Sequence, residues 1–197
     1  MNIEEYYCFS VISAFIIMYI TEFLCIIMYN IDDIIGYHCP RWIELPNIDL
    51  YMDQVLIFIE KNTSVFADSG NCKSLTKTMI NNYVKQNKIK PPLNKRYNKT
   101  HLAYFMVVSI LKRFMNLSEL SDGIITVRRK YTPEMAYNLF CDGFEASLKR
   151  VFLGENIPIN ENPSDELILV KTITAAYANM LYARYLIYIN TKNETLG

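Results

Sequence analysis

Residues 76–101 read TKTMINNYVKQNKIKPPLNKRYNKTH, and the way this stretch divides decides the fold. The Thr76 hydroxyl can accept from an N–H of a following helical turn, so Thr76 predicts an N-cap. Met79, Ile80, Tyr83 and Val84 then recur at the three- and four-residue spacing of one buried helix face. Lys77, Thr78, Asn81, Asn82 and Lys85 fall on the opposite side, which carries amides and ammonium groups and no acid. Amides and ammonium groups are the side chains that bond base edges and phosphates. Two adjacent asparagines weaken a helix, which favours a role for them on the surface. Pro91 and Pro92 lack a backbone donor and fix φ, so 90–97 cannot prolong the helix and reads as a basic loop or small β-wing. Asn98 or Thr100 then caps a helix expected over 101–115, with Leu102, Phe105, Val108, Leu111, Phe114 and Met115 turned inward.

Upstream, 45–60 reads as a helix capped by Asn47 or Asp49, with Leu50, Met52, Val55, Leu56 and Ile59 on its apolar face. The polar stretch 61–74, with Asp68, Gly70 and Asn71 inside it, reads as a loop. Downstream, a short helix opens at Ser118. Thr132, Pro133 and Glu134 supply an N-cap, a proline at the first helical position and an acid in the first turn. The helix they start is expected to reach Phe152 and stop at Gly154. A polar linker, 154–163, leads to a last helix opened by Ser164, Asp165 and Glu166 and reaching about Asn190. That helix carries two apolar stripes. One holds Leu169, Ile173, Ala176, Met180, Ala183 and Ile187. The other holds Leu167, Val170, Tyr177, Leu181 and Tyr188. A helix apolar on two sides must be buried or must pair.

The chain has 197 residues, 51% of them hydrophobic, and a formal net charge of +0. Its overall charge therefore points to no partner, but the distribution does. Ten basic residues lie between Ser69 and Ser118: Lys73, Lys77, Lys85, Lys88, Lys90, Lys95, Arg96, Lys99, Lys112 and Arg113. No Asp or Glu falls in that window, which is the pattern of a local polyanion-binding surface. Cys8, Cys25, Cys39, Cys72 and Cys141 are scattered and never form a C-x-x-C pair. This argues against a disulfide scaffold or zinc ribbon and for a reducing, cytoplasmic compartment. His38 beside Cys39 reads as structural burial, since neighbouring residues rarely share a metal. No phosphate-binding glycine loop, nucleophile elbow or H-E-x-x-H motif occurs. The expectation is a protein that is not an enzyme and needs no cofactor. His101 opens a helix, where it packs or meets a phosphate. Tyr131, Tyr137, Tyr177 and Tyr185 read as stacked core side chains before they read as a ligand pocket.

Residues 6–31 are almost uncharged, Glu22 excepted. Glu4 and Glu5 stand where a signal peptide would carry basic residues. Three readings stay open for this segment: a buried or dimerising helix, a membrane anchor, or an extension from an upstream start codon. The anchor would make the protein membrane-attached in place of cytoplasmic. It would also have to accommodate the Glu22 carboxylate, which costs about 2–3 kcal/mol or more near a bilayer centre.

The order helix, loop, polar–basic helix, proline-bearing wing, long apolar helix resembles the N-terminal head of MerR-type regulators. Ile80, Tyr83 and Ile89 fall on that family's buried positions. Pro91-Pro92 and Lys95-Arg96-Tyr97 fall on its wing. Asn87 and Lys88 stand where the family usually has Gly and Leu, and Asn87 is a substitute that tolerates a left-handed C-cap. A closer resemblance rests on residues 39–55 (CPRWIELPNIDLYMDQV), on 79–85 (MINNYVK), on Lys95-Arg96-Tyr97 and on 101–104 (HLAY). These strings resemble a bacterial family known as domain of unknown function 1836, small, helical and found mainly in Gram-positive bacteria. The resemblance spans about 32–125 and implies a MerR-like fold.

The expected fold class is therefore all-α, with a MerR-like winged helix-turn-helix head and C-terminal helices. The expected domains are an apolar segment 1–31, a head 32–127 and a helical region 131–197. The MerR-type resemblance implies a dimeric DNA-binding transcription regulator on double-stranded DNA, with an effector it does not name; the closer resemblance brings no activity of its own. Lys77, Thr78, Asn81, Asn82, Tyr83 and Lys85 on the recognition helix and Lys95, Arg96 and Tyr97 on the wing form the candidate contact set. Pairing through C-terminal helices fits a homodimer. The rival is a protein-interaction or membrane-tethered adaptor that keeps the fold and does not bind DNA.

Overall fold

The computed structural model describes residues 31–66, 75–156 and 162–194. The apolar segment 6–31, apart from Ile31 itself, and the turn residues Asp68, Gly70 and Asn71 lie outside them. Within the described residues the chain is mostly helical: seven α-helices and a single two-stranded ribbon. The order is α1 (Ile31–Ile35), β1 (Leu50–Tyr51), α2 (Met52–Thr63), α3 (Lys77–Lys85) and β2 (Arg96–Tyr97). Then follow α4 (Lys99–Leu111), α5 (Leu117–Arg128), α6 (Pro133–Leu153) and α7 (Asp165–Glu194).

Most helix starts follow their caps. Thr76 Oγ1 accepts from Met79 N at 3.2 Å, Asn98 Oδ1 from His101 N at 3.2 Å, and Thr132 Oγ1 from Met135 N at 3.2 Å. Each satisfies a backbone donor that the first turn leaves without a helical partner. The first expected helix needs correction. Helix α2 begins at Met52, seven residues later than 45–60 implied. Neither Asn47 nor Asp49 caps it; the Gln54 side chain reaches back to accept from Tyr51 N at 2.9 Å. Leu45 is instead buried just after the short turn Trp42–Glu44. Leu50 and Tyr51 are drawn into an antiparallel ribbon with Tyr97 and Arg96. An inward-facing Leu50 serves a strand as well as a helix, so the apolar pattern alone could not separate the two.

Helix α4 is the centre of the molecule. The expected single stripe is too narrow: nine of its residues from His101 to Leu111 are buried, among them Met106 and Ile110. Phe114, expected inside, is 40% exposed. A helix enclosed on all sides must be wrapped by others, and α2 and α6 pack directly on α4, while α6 and α7 form the most extensive helix pair. Burying a side chain such as Phe105 stabilises by about 1.5–3 kcal/mol. Gly143 lets α6 and α7 approach closely, because a Cβ there would stand 3.3 Å from Thr174 Oγ1. Helix α6 ends on Gly154, whose φ of 70° is the left-handed cap expected of it.

The core does not break at 128–131. One buried cluster runs from Ile34 through α4 to Leu181. Phe144 of α6 meets Tyr37, Phe66 and Tyr177 at ring separations of 5.9, 5.3 and 5.7 Å. Of the two apolar stripes on α7, the one with Val170, Tyr177 and Leu181 is buried within the chain. The one ending at Ala183 and Ile187 turns outward in its last turns. No helix of the described residues is long and apolar enough to cross a membrane.

Candidate nucleic-acid interface

Helix α3 divides as its sequence predicts. Ile80 and Tyr83 are buried, while Lys77, Thr78, Asn81, Asn82 and Lys85 are exposed. Its end is built from backbone geometry. Asn87 takes φ 55°, so that Asn87 N donates to Val84 O at 3.0 Å and Lys88 N to Tyr83 O at 2.9 Å. These paired bonds satisfy the last carbonyls of the helix and need a left-handed residue, a conformation Asn accepts better than most side chains.

Residues 93–96 then fold into a tight hairpin. Arg96 N donates to Leu93 O at 2.9 Å, and the two central residues, Asn94 and Lys95, have φ 49° and 60°. Positive φ at both positions matches the twist of the flanking strands. Asn is a usual occupant of the first position. At the second, where Gly is favoured, Lys95 stands with its ammonium at the hairpin tip. The following residues, Arg96 and Tyr97, pair with Tyr51 and Leu50.

Two contacts tie these parts to the start of α2. Lys77 Nζ pairs with the Asp53 carboxylate. Arg96 Nη2 donates to Tyr51 Oη at 3.0 Å, and its guanidinium lies 4.8 Å from the centre of the Tyr51 ring. The first turn of α3 and the hairpin strand therefore flank one short segment, Tyr51 to Asp53. All four side chains are exposed, so the ion pair itself adds little stability.

Tyr83 and Tyr97, unlike the other members of the candidate contact set, are buried. They are 7% and 3% exposed, and burial pushes both phenols above their ordinary value. Tyr83 follows Ile80 by three residues and so shares its inner face. Tyr97 faces inward beside Leu50, its ring 5.4 Å from His101 and 5.8 Å from Phe105.

Three of the remaining basic residues have partners of their own. Lys99 lies over the Trp42 ring at 5.7 Å, and Lys112 Nζ points to Met79 Sδ at 4.0 Å. Lys88 Nζ donates to Ser118 Oγ at 3.3 Å. Lys73 lies outside the described residues.

His101 packs. It is 7% exposed, its Nε2 donates to Lys90 O at 3.0 Å, and its Nδ1 accepts from Asn98 N at 3.2 Å. The bond to Lys90 O calls for a proton on Nε2, Nδ1 also lies 2.7 Å from Asn98 Oδ1, and together these contacts pin the base of the hairpin to the start of α4. Burial lowers the imidazole pKa against the weaker upward pull of Lys90 O and Asp49. Tyr51, Asp53 and His101 thus complete the arrangement. The signal for Tyr51 was an aromatic beside a buried leucine in a two-residue extended segment. Asp53 had none, being 24 residues from Lys77.

His38 is exposed and not buried; its Nε2 lies 2.9 Å from Glu44 Oε2. Cys39 and Cys141 are buried free thiols, and the neighbouring Cys39 together with burial keeps Cys141 protonated. Among the described residues no group of three His, Cys, Asp or Glu side chains is arranged to hold a metal ion. Tyr137 and Tyr177 are core residues at 3% and 1% exposed. No curated protein and no solved structure matches this chain. The family described as domain of unknown function (DUF1836) matches residues 40–140, half of the chain, and the chain belongs to that family.

Proposed function

We propose that this protein is a DNA-binding transcription regulator with a MerR-like winged helix-turn-helix head, acting as a homodimer. In this reading α2 and α3 are the helix-turn-helix, the 93–96 hairpin is the wing, and α4 and α5 are the helices that follow it. The observation that carries the reading is the exposed face of α3, acid-free along its length, joined through Tyr51 and Asp53 to the Arg96 hairpin. Lys77, Thr78, Asn81, Asn82 and Lys85 meet the major groove or its flanking phosphates, and Lys95 and Arg96 grip backbone. Asp53 holds Lys77 in place in the free protein, and phosphate replaces it on binding. The outward turns of α7 supply the surface for a second copy. The exposed apolar side chains Ile57 and Leu93 favour a second reading, a protein-interaction adaptor.

Selection from random duplex DNA followed by salt titration tests the proposal. Enriched DNA binds with a log–log salt slope of about −0.9 for each phosphate neutralised. Asn81→Ala and Asn82→Ala each lower the preference for selected over random DNA, a bidentate base contact being worth about 1–3 kcal/mol. Lys95→Ala combined with Arg96→Ala weakens both DNAs alike and flattens the slope by about one to two contacts. Absence of enrichment, with salt-independent retention, would favour the adaptor.

A further inference from the structure

We propose that a second site lies between α4, α5, α6 and α7 and takes a small apolar molecule, the size of one ring, that carries a single carboxylate. The four helices leave a pocket of about 140 Å³ between them. The pocket is half open to solvent, and an apolar space of roughly 150 Å³ is the size that holds one benzene-sized molecule. The walls include Val107 of α4, Ile124 of α5, Phe140 of α6 and Ile173 of α7. Space at α5 is real on a second measure: a Cβ built on Gly123, which lines the pocket, meets nothing nearer than Ile173 Cδ1 at 3.9 Å.

Charge selects the ligand's other end. No Asp or Glu lines the pocket, and Arg128 is the charged residue that does. Arg128 Nη1 donates to Tyr131 O at 2.7 Å, one use of a guanidinium that carries five N–H groups. The planar fork pairs well with a carboxylate, whereas an ammonium would be repelled. The ring would sit among the four helices with its carboxylate at Arg128. This site does not depend on the DNA-binding reading, since none of the α3 or hairpin side chains that carry that reading lines it.

The test uses the full chain and three probes with the same ring: benzoate, toluene and benzylamine. Ligand-observed NMR or calorimetry gives the affinities. Benzoate binds best, toluene more weakly, and benzylamine worst. Arg128→Gln removes the preference for benzoate and leaves toluene unchanged. Gly123→Leu fills the pocket and weakens benzoate and toluene by about tenfold or more. Because leucine is also the better helix former, the variant melts no lower than wild type. Ala136→Leu fills the same space from α6 and keeps the test valid if Gly123→Leu misfolds. Equal binding of all three probes, or undiminished binding by a folded filled variant, overturns the proposal. So does a wild type that binds none of them.

Discussion

Arg41 and Arg96 each rest on a nearby partner, with opposite consequences. Arg41 Nη1 and Nη2 donate to the two carboxylate oxygens of Glu145 at 2.6 and 2.8 Å. Nη1 also donates to Cys39 O at 2.6 Å, and Nη2 lies 3.0 Å from Asp142. Glu145 in turn accepts from Cys39 N at 2.8 Å. This arginine ties the segment before β1 to α6 and is taken up by the fold. Among the described residues the Arg96 guanidinium has one hydrogen bond, to an exposed tyrosine hydroxyl, and lies over that ring. Its charge stays on the surface. Two arginines in a single sequence thus separate into a structural clasp and a presented cation, and only their surroundings tell them apart.

The clasp gives the largest expected effect. Burial alone would push the Glu145 carboxyl up, but the Arg41 hydrogen bond and Cys39 N–H outweigh it and hold its pKa below the ordinary value. Arg41→Ala leaves a partly buried carboxylate without its cation. The expected loss is about 2–3 kcal/mol in urea unfolding, below the roughly 3–5 kcal/mol of fully buried pairs because both side chains keep some exposure. DNA affinity measured well below the melting temperature should stay unchanged. A lowered carboxyl pKa stabilises the fold above the unfolded value of 4.5 and loses that contribution as pH falls through the folded value. Acid should therefore destabilise wild type more steeply than Arg41→Ala. If Arg41→Ala unfolds like wild type, the contrast with Arg96 collapses.

His101 provides a second, smaller pH effect on the other side of the comparison. Its folded pKa is lowered, so its neutral form belongs to the folded state. Stability is full above the unfolded imidazole value of 6.5 and declines as pH falls from there through the folded value. Because a protonated Nδ1 can no longer accept from Asn98 N, the junction of the hairpin with α4 should loosen before the core does. Amide exchange at Arg96 and Tyr97 between about pH 7 and 5 measures this. The acceleration should be absent in His101→Phe, which keeps a buried ring that does not titrate. Equal acceleration in both proteins would place the cause elsewhere.

These two regions were not equally legible in the sequence. Helix α3 declared itself locally: a cap at Thr76, an inner face through Ile80 and Tyr83, and a left-handed end at Asn87. The prolines announced the break before the hairpin. Arg41 showed nothing, because its partner lies 104 residues away on a helix whose own pattern gave no hint of it. The same limit applies to Asp53. A window without acids reads as a purely basic surface, and the fold carries an acid to Lys77 from outside the window. The boundary expected near 128–131 follows the end of the family resemblance at about residue 125. The core that crosses it consists of long-range contacts such as Phe66 with Tyr177, 6.3 Å apart. Tyr83 shares the spacing of the core face and the company of the contact residues, and its burial follows the spacing.

The hairpin tip carries the smallest effect and the sharpest test of a presented charge. Lys95 holds φ 60°, a conformation that crowds a Cβ against the following carbonyl and costs roughly 1–2 kcal/mol relative to glycine. Glycine in turn loses more freedom on folding, which offsets part of that gain. Lys95→Gly should therefore stabilise the protein by about 0.5–1 kcal/mol in urea unfolding. If the ammonium at the tip reaches phosphate, the same variant should bind every duplex more weakly, with a salt slope flatter by about one contact. Stability and affinity would then move in opposite directions, as they do where a strained residue is kept for its chemistry. Lys95→Ala separates the two contributions, since it removes the charge and retains the strain. It should match Lys95→Gly in DNA affinity and wild type in stability. A Lys95→Gly protein that is more stable and binds DNA as well as wild type would show that the tip is strained for no purpose in DNA contact, and would leave Arg96 as the only cation the hairpin presents.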